Sequence, residues 1–126
     1  MVKKVITIRN APKYPFSAAT RAGDYIFVSG QGGFVDAEGN EVKGIVAQTQ
    51  QCLENMKQVL EAEGASLSDV VKVTIYLGNA ADYANMNAVY KSYFPKDQPA
   101  RSTAVTGLVI TDMVIEMDCI AYYPST

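Results

Sequence analysis

The sequence predicts an α+β domain in which a single mixed β-sheet is covered on one face by two helices. Val71, Val73, Ile75 and Leu77 alternate with Val70, Lys72, Thr74 and Tyr76. In the last apolar run, Met113, Ile115, Met117, Cys119 and Ala121 alternate with Val114, Glu116, Asp118, Ile120 and Tyr122. A period of two is that of strands with one core face and one mixed face. Two other segments, residues 44–63 and 82–94, repeat apolar side chains at helical spacing instead. The 126 residues contain no repeat and no linker, so they fit one domain, 1–126, large enough to bury about two-thirds of its unfolded surface.

In chain order, the β-branched residues from Val5 to Ile8 open as a strand, and Pro12 and Pro15 keep the following connection out of helix. Phe16 follows and reads as an ordinary core aromatic. Asp24 to Ser29 forms a second strand, which Gly30, Gln31, Gly32 and Gly33 end or bulge before Phe34 and Val35 resume it as a third. The first helix places Ile45, Thr49, Cys52, Leu53, Met56, Val59 and Leu60 inward, leaves Gln48, Gln50 and Gln51 solvated, and stops at Gly64. Asp82 caps a second helix whose buried stripe is Tyr83, Met86, Tyr90, Tyr93 and Phe94, and Pro95 ends it. Asn87 lies beside that stripe, where its amide must be hydrogen-bonded. A strand from Arg101 and the run from Met113 to Tyr122 complete the sheet. Its uncovered face carries aromatics such as Tyr76 and Tyr122, which predicts that other subunits cover it.

Composition removes several chemistries. There is no histidine, so Ser-His-Asp and Cys-His nucleophiles, imidazole bases and histidine zinc sites are excluded together. Acid–base work falls to carboxylates, tyrosines or lysines. Cys52 and Cys119 are the only cysteines and read as buried free thiols, with no transition-metal site between them. A net charge of -2 argues against a dominant phosphate-binding surface, so nucleic acid is not an expected partner. No apolar run is long enough for a membrane span or a signal peptide, and a cytoplasmic location is expected.

Two side chains stand out. Arg101 begins an extended segment, and its planar fork matches either an acid of this chain or the carboxylate of a ligand. Glu116 shares a strand face with apolar neighbours; it is either solvated there or partly desolvated with a raised pKa suited to acid–base work.

Pro99-Ala100-Arg101-Ser102, followed by Gly107 and Ile115-Glu116-Met117, resembles the signature of the RidA family, also called the YjgF/UK114 family. The likeness extends to Val28-Ser29-Gly30-Gln31, Asn87-Ala88-Val89-Tyr90 and Tyr93-Phe94, in the family's order and spacing over nearly the whole chain. It implies a chorismate-mutase-like fold assembled as a homotrimer with pockets between subunits. It further implies hydrolytic deamination of short 2-imino or enamine acids, of the 2-iminobutanoate, 2-iminopropanoate and 2-aminoacrylate type, to 2-oxo acids and ammonia. No cofactor or metal is implied, and the role is protective.

Carried over residue by residue, Arg101 clamps the substrate carboxylate and Glu116 positions and activates water. Ser29 and Gly30 hold the carboxylate through the backbone, and Asn87 supports the site. Phe16 stands where the family usually has a pocket tyrosine, Thr103 where many relatives have cysteine, and Ala104 where a larger apolar residue is usual. Gly32 and Gly33 replace a common Ile-Pro and imply a roomier pocket. Two other readings stand beside the enzyme: a non-catalytic module that binds a small carboxylate in the same cleft, and a ribonuclease or translation inhibitor, which the missing histidine and acidic charge disfavour.

Overall fold

The computed structural model describes residues 3–7 and 14–124. Six strands, β1 (Lys4–Ile6), β2 (Ala19–Ala22), β3 (Tyr25–Gln31), β4 (Val70–Leu77), β5 (Ala100–Val105) and β6 (Ile115–Tyr122), form one sheet in the order β1-β2-β3-β6-β4-β5. The β4–β5 pair is parallel and every other pair antiparallel, so the sheet is mixed. Helices α1 (Ile45–Glu61) and α2 (Tyr83–Tyr93) cover one face. Leu53, Met56 and Leu60 of α1 and Met86 of α2 meet Ile26, Val73, Ile75, Ile115 and Met117 of the sheet in a single core. Gly64, at φ 83°, turns the chain after α1 in the left-handed region that glycine occupies without strain.

The period-two reading of β6 holds along its whole length: Met113, Ile115, Met117, Cys119 and Ala121 are buried and their alternates are not. In β4 it holds from Lys72 onward but fails at the start, where Val70 is buried and Val71 exposed. Pairing of Val70 with Ala121 and Lys72 with Ile120 leaves Val71 as an extra residue, and such a bulge reverses the inside–outside pattern.

Four other expectations are corrected. The third strand is not at Phe34–Val35, where Val35 makes only an isolated bridge to Glu41. It is β2, which forms a hairpin with β3 around Gly23 at φ 61°; with two alanines in four residues, it carries little β propensity to betray it. Asp82 makes no side-chain cap. Asn79 does, accepting from the Ala81 N–H at 2.9 Å in the short turn before α2. Tyr83 is not in the buried stripe but 47% exposed at the start of α2. The first strand is described only to Ile6, and Ile8 and Pro12 lie outside the described residues.

Gln48 is the fourth. It is 2% exposed rather than solvated. Its amide nitrogen donates to the carbonyls of Val42 (3.0 Å) and Asp112 (2.9 Å), and its amide oxygen accepts from the Val114 N–H (2.9 Å). One side chain thus ties α1 to the loop before it and to the approach of β6, the strand that carries Glu116. Replacing Gln48 with Leu strands three backbone groups, and the expected loss is about 2–4 kcal/mol of stability. Urea unfolding with an unchanged slope and a lower midpoint is the expected result; an unchanged midpoint would mean that water replaces the clasp without cost.

The two glycines before α1 serve the same packing. A Cβ on Gly33 would lie 2.2 Å from the Gln48 carbonyl oxygen and 2.8 Å from the Cys52 nitrogen, so the loop touches the helix backbone itself. On Gly32 it would lie 2.8 Å from the Met113 methyl carbon. The space left by their missing side chains is filled by α1 and Met113, which is a correction to the roomier pocket expected from them.

Candidate active site

Glu116 projects from β6 toward the face that the helices leave uncovered. Tyr76 is its cross-strand partner on β4, and Ala104 is the partner of Tyr76 on β5. On the other side of β6, the β3 register shifts between Val28 and Gln31, and Ser29 and Gly30 lie in that irregularity. Gly30 abuts the carboxylate so closely that a Cβ there would stand 2.3 Å from Glu116 Oε2. Glycine is what lets a carboxylate lie flat against this strand. Burial first, and then the neighbouring Asp118 charge, push the Glu116 carboxyl above its ordinary value. Asp118 in turn accepts a hydrogen bond from the Tyr76 hydroxyl at 3.2 Å.

Ser29 is fixed by two bonds to the preceding segment: its hydroxyl donates to the Ser17 carbonyl at 2.6 Å and its N–H to the Ala18 carbonyl at 3.0 Å. The same segment carries Phe16, which is 56% exposed and stacked on Tyr14 with ring centroids 5.5 Å apart. Phe16 is therefore not a core aromatic. With Ser17, Thr20, Phe27 and Ser29 it lines an open cleft on this part of the sheet.

Arg101 belongs to a second group. It pairs with buried Val73, so it points to the helix side of the sheet, and α2 receives it. Its guanidinium carbon sits 4.8 Å from the Tyr90 ring centroid and 5.7 Å from that of Tyr83, whose hydroxyl accepts from Nη2 at 3.1 Å. Among the described residues the ion pairs are Lys4–Glu63 and Lys43–Glu41, and Arg101 is in neither. An arginine propped on aromatic faces, with no carboxylate partner among the described residues, has a fork whose geometry matches an external anion. Thr103, two residues on, lines the same cleft with Leu77, Ala80, Tyr83 and Val105. Asn87 lies between the two tyrosines on α2 and borders the adjoining hollow. Its amide oxygen is buried with no hydrogen-bond partner among the described residues. Tyr83 and Tyr90 are the residues that the sequence reading placed in the core; their spacing from Asn87, four before and three after, was the available signal for one helix face.

The two groups do not meet in one copy. Arg101 and Glu116 face opposite sides of the sheet, and two strand spacings combined with three residues of register put them roughly 14 Å apart in its plane. The cysteines stand apart from both: each is buried, which pushes its thiol well up, to about 12 for Cys119. Neither is available as a thiolate. No group of three or more acids or cysteines among the described residues is placed to hold a metal.

The described residues form an α+β sheet covered by two helices, with an arginine that makes no ion pair among the described residues on one face of the sheet and a carboxyl of raised pKa on the other. Residues 7–123 match the family model described as Endoribonuclease L-PSP. The chain is 46% identical to a RutC family protein of Pyrococcus horikoshii over 96% of this chain and 98% of that one. It is 32% identical to the 2-iminobutanoate/2-iminopropanoate deaminase of Mus musculus over 96% and 92% respectively. The crystal structure of the E. coli YjgF gene product superposes with a TM-score of 0.85 at 32% identity, covering 94% of this chain and 98% of that one. The chain belongs to the RidA, or YjgF/UK114, family.

Proposed function

We propose that the protein hydrolyses short 2-imino acids and their enamine tautomers to 2-oxo acids and ammonia, in a site completed by two copies of the chain. The observation that carries this is Arg101: a guanidinium held on Tyr90 and Tyr83 with no carboxylate partner among the described residues is a receptor awaiting one. Glu116 supplies the second requirement, an acid–base group whose pKa is raised toward the working range. Since the two lie on opposite faces of one sheet, the Arg101 edge of one copy would be apposed to the Glu116 face of the next. The exposed Tyr25, Phe27 and Tyr122, farther along the sheet face that Glu116 occupies, give such an assembly, a homotrimer by family likeness, apolar area to bury.

In the reaction, Arg101 fixes the carboxylate and thereby the imine carbon. Glu116 takes a proton from water as the oxygen bonds to C2, and then returns it to the nitrogen. The C–N bond then breaks as the new hydroxyl gives its proton to the Glu116 carboxylate and becomes the 2-oxo group, and ammonia leaves and carries that proton away as ammonium. Orientation and one proton carrier suffice because a protonated imine is already electrophilic.

The direct test follows the decay of freshly generated 2-iminopropanoate with and without the purified protein, together with sedimentation. Accelerated decay by an oligomer is expected. Unchanged decay with retained 2-oxo acid binding would favour the binding module, and a stable monomer of 13.6 kDa would sink the shared site. Ribonuclease action, suggested by the family model's description, has less support at this site, because Glu116 and Asp118 together would repel a phosphodiester.

A further inference from the structure

The proposed reaction uses Tyr83 only as a prop for Arg101 and leaves the proton of its hydroxyl without a task. Tyr83 is the first residue of α2, half exposed, and its ring lines the cleft into which Arg101 faces. An arginine N–H can only donate, so at the 3.1 Å contact between Arg101 Nη2 and the Tyr83 hydroxyl the phenolic oxygen is the acceptor. The phenol's own proton is then directed elsewhere. A hydroxyl polarised in this way, beside a guanidinium that has no counter-ion among the described residues, is placed as a second donor to an anion that the guanidinium binds.

We propose that Tyr83 is a substrate-binding residue: its hydroxyl donates to the carboxylate that Arg101 holds, so the anion is read by a guanidinium and a phenol together. This rests on the reading of Arg101 as a carboxylate receptor. Tyr90, on the other side of the guanidinium, cannot share the task. It is buried, and its hydroxyl reaches no partner among the described residues. It props the cation, whereas Tyr83 both props it and offers a proton. The Asn87 side chain, foremost, and then the Arg101 charge draw the Tyr83 hydroxyl below its ordinary value of 10.0, which strengthens it as a donor.

The test compares wild type with Tyr83→Phe by calorimetric titration with 2-oxobutanoate and by steady-state imine hydrolysis. A hydrogen bond to a charged group predicts an affinity lower by about tenfold to a hundredfold in the variant, with KM raised and kcat within about threefold. A second readout separates donation from packing. As pH rises toward 10, wild-type affinity should fall, since a phenolate cannot donate and repels the ligand; Tyr83→Phe should show no such fall. The charged group facing Tyr83 is Arg101 of β5, and the other phenol beside it, Tyr90 of α2, is pushed up to about 12 by burial, so Tyr90 does not mimic that titration. Equal affinity of variant and wild type, or the same alkaline fall in both, overturns the assignment of Tyr83 while leaving Arg101 in place. Absence of 2-oxobutanoate binding to wild type overturns both.

Discussion

Replacing Glu116 with Gln should lower imine turnover by about 10²–10⁴-fold while 2-oxo acid binding survives, as measured by single-turnover imine decay and calorimetric titration. The amide keeps the shape and most of the hydrogen bonding of the carboxylate, and it still fits against Gly30, so the variant isolates proton transfer from packing. The pH profile adds an independent check. Glu116 acts as a base only when ionised, and burial followed by the Asp118 charge raises its pKa above the ordinary value of 4.5. The acid limb of kcat/KM should therefore lie above 4.5, with the rate falling as pH drops through it. Asp118→Asn removes the second cause but not the first, so the limb should move down without reaching the ordinary value. A Gln variant that keeps the wild-type rate would show that Glu116 carries no proton, and an acid limb that Asp118→Asn leaves in place would show that Asp118 has no part in setting it.

What the sequence made legible is set by how local the physics is. Alternation identified β6 and its faces because a strand with one buried side must repeat every two residues, and this placed Glu116 correctly on the mixed face. It failed at Val70 and Val71, where a bulge created by pairing with β6 reverses the pattern and leaves no mark in composition. β2 escaped notice because a four-residue strand held between two neighbours is stabilised by pairing rather than propensity. Gln48 looked like a solvated helix residue, since its three partners come from the loop before α1 and from the approach to β6, and no helical period encodes them.

The candidate site was legible only as separate residues. The family likeness supplied Arg101 and Glu116, but no spacing reveals that they face opposite sides of one sheet. That requires the strand order β3-β6-β4-β5 and the parallel pairing of β5, both of which are long-range facts. Tyr83 was misread for a related reason. Helical periodicity ranks residues by the face they occupy, and Tyr83 lies at the very start of α2, where the covering layer ends and an edge strand takes over.

Replacing Arg101 with Met should abolish detectable binding of 2-oxo acids, and the reason is the asymmetry of a desolvated ion pair. Met retains the length of the side chain and can still pack against Tyr90, but a carboxylate entering this cleft then loses its charged partner, which typically costs about 2–5 kcal/mol, or roughly thirtyfold to several thousandfold in affinity. The folded protein should be unharmed, because Arg101 makes no ion pair with the described residues of its own chain. Combining Arg101→Met with Glu116→Gln then tests where the two groups act. If each site takes its arginine from one copy and its glutamate from the next, oligomers reassembled from equal amounts of the two inactive variants should contain about a quarter of sites with both groups intact, and about a quarter of wild-type activity should return. A site built within one chain regains none under the same mixing, because neither variant carries both residues. Recovery near a quarter would support the apposition of the Arg101 edge of one copy with the Glu116 face of another; no recovery from a mixture shown to exchange subunits would place both groups in a single copy, against the opposite facing of Arg101 and Glu116.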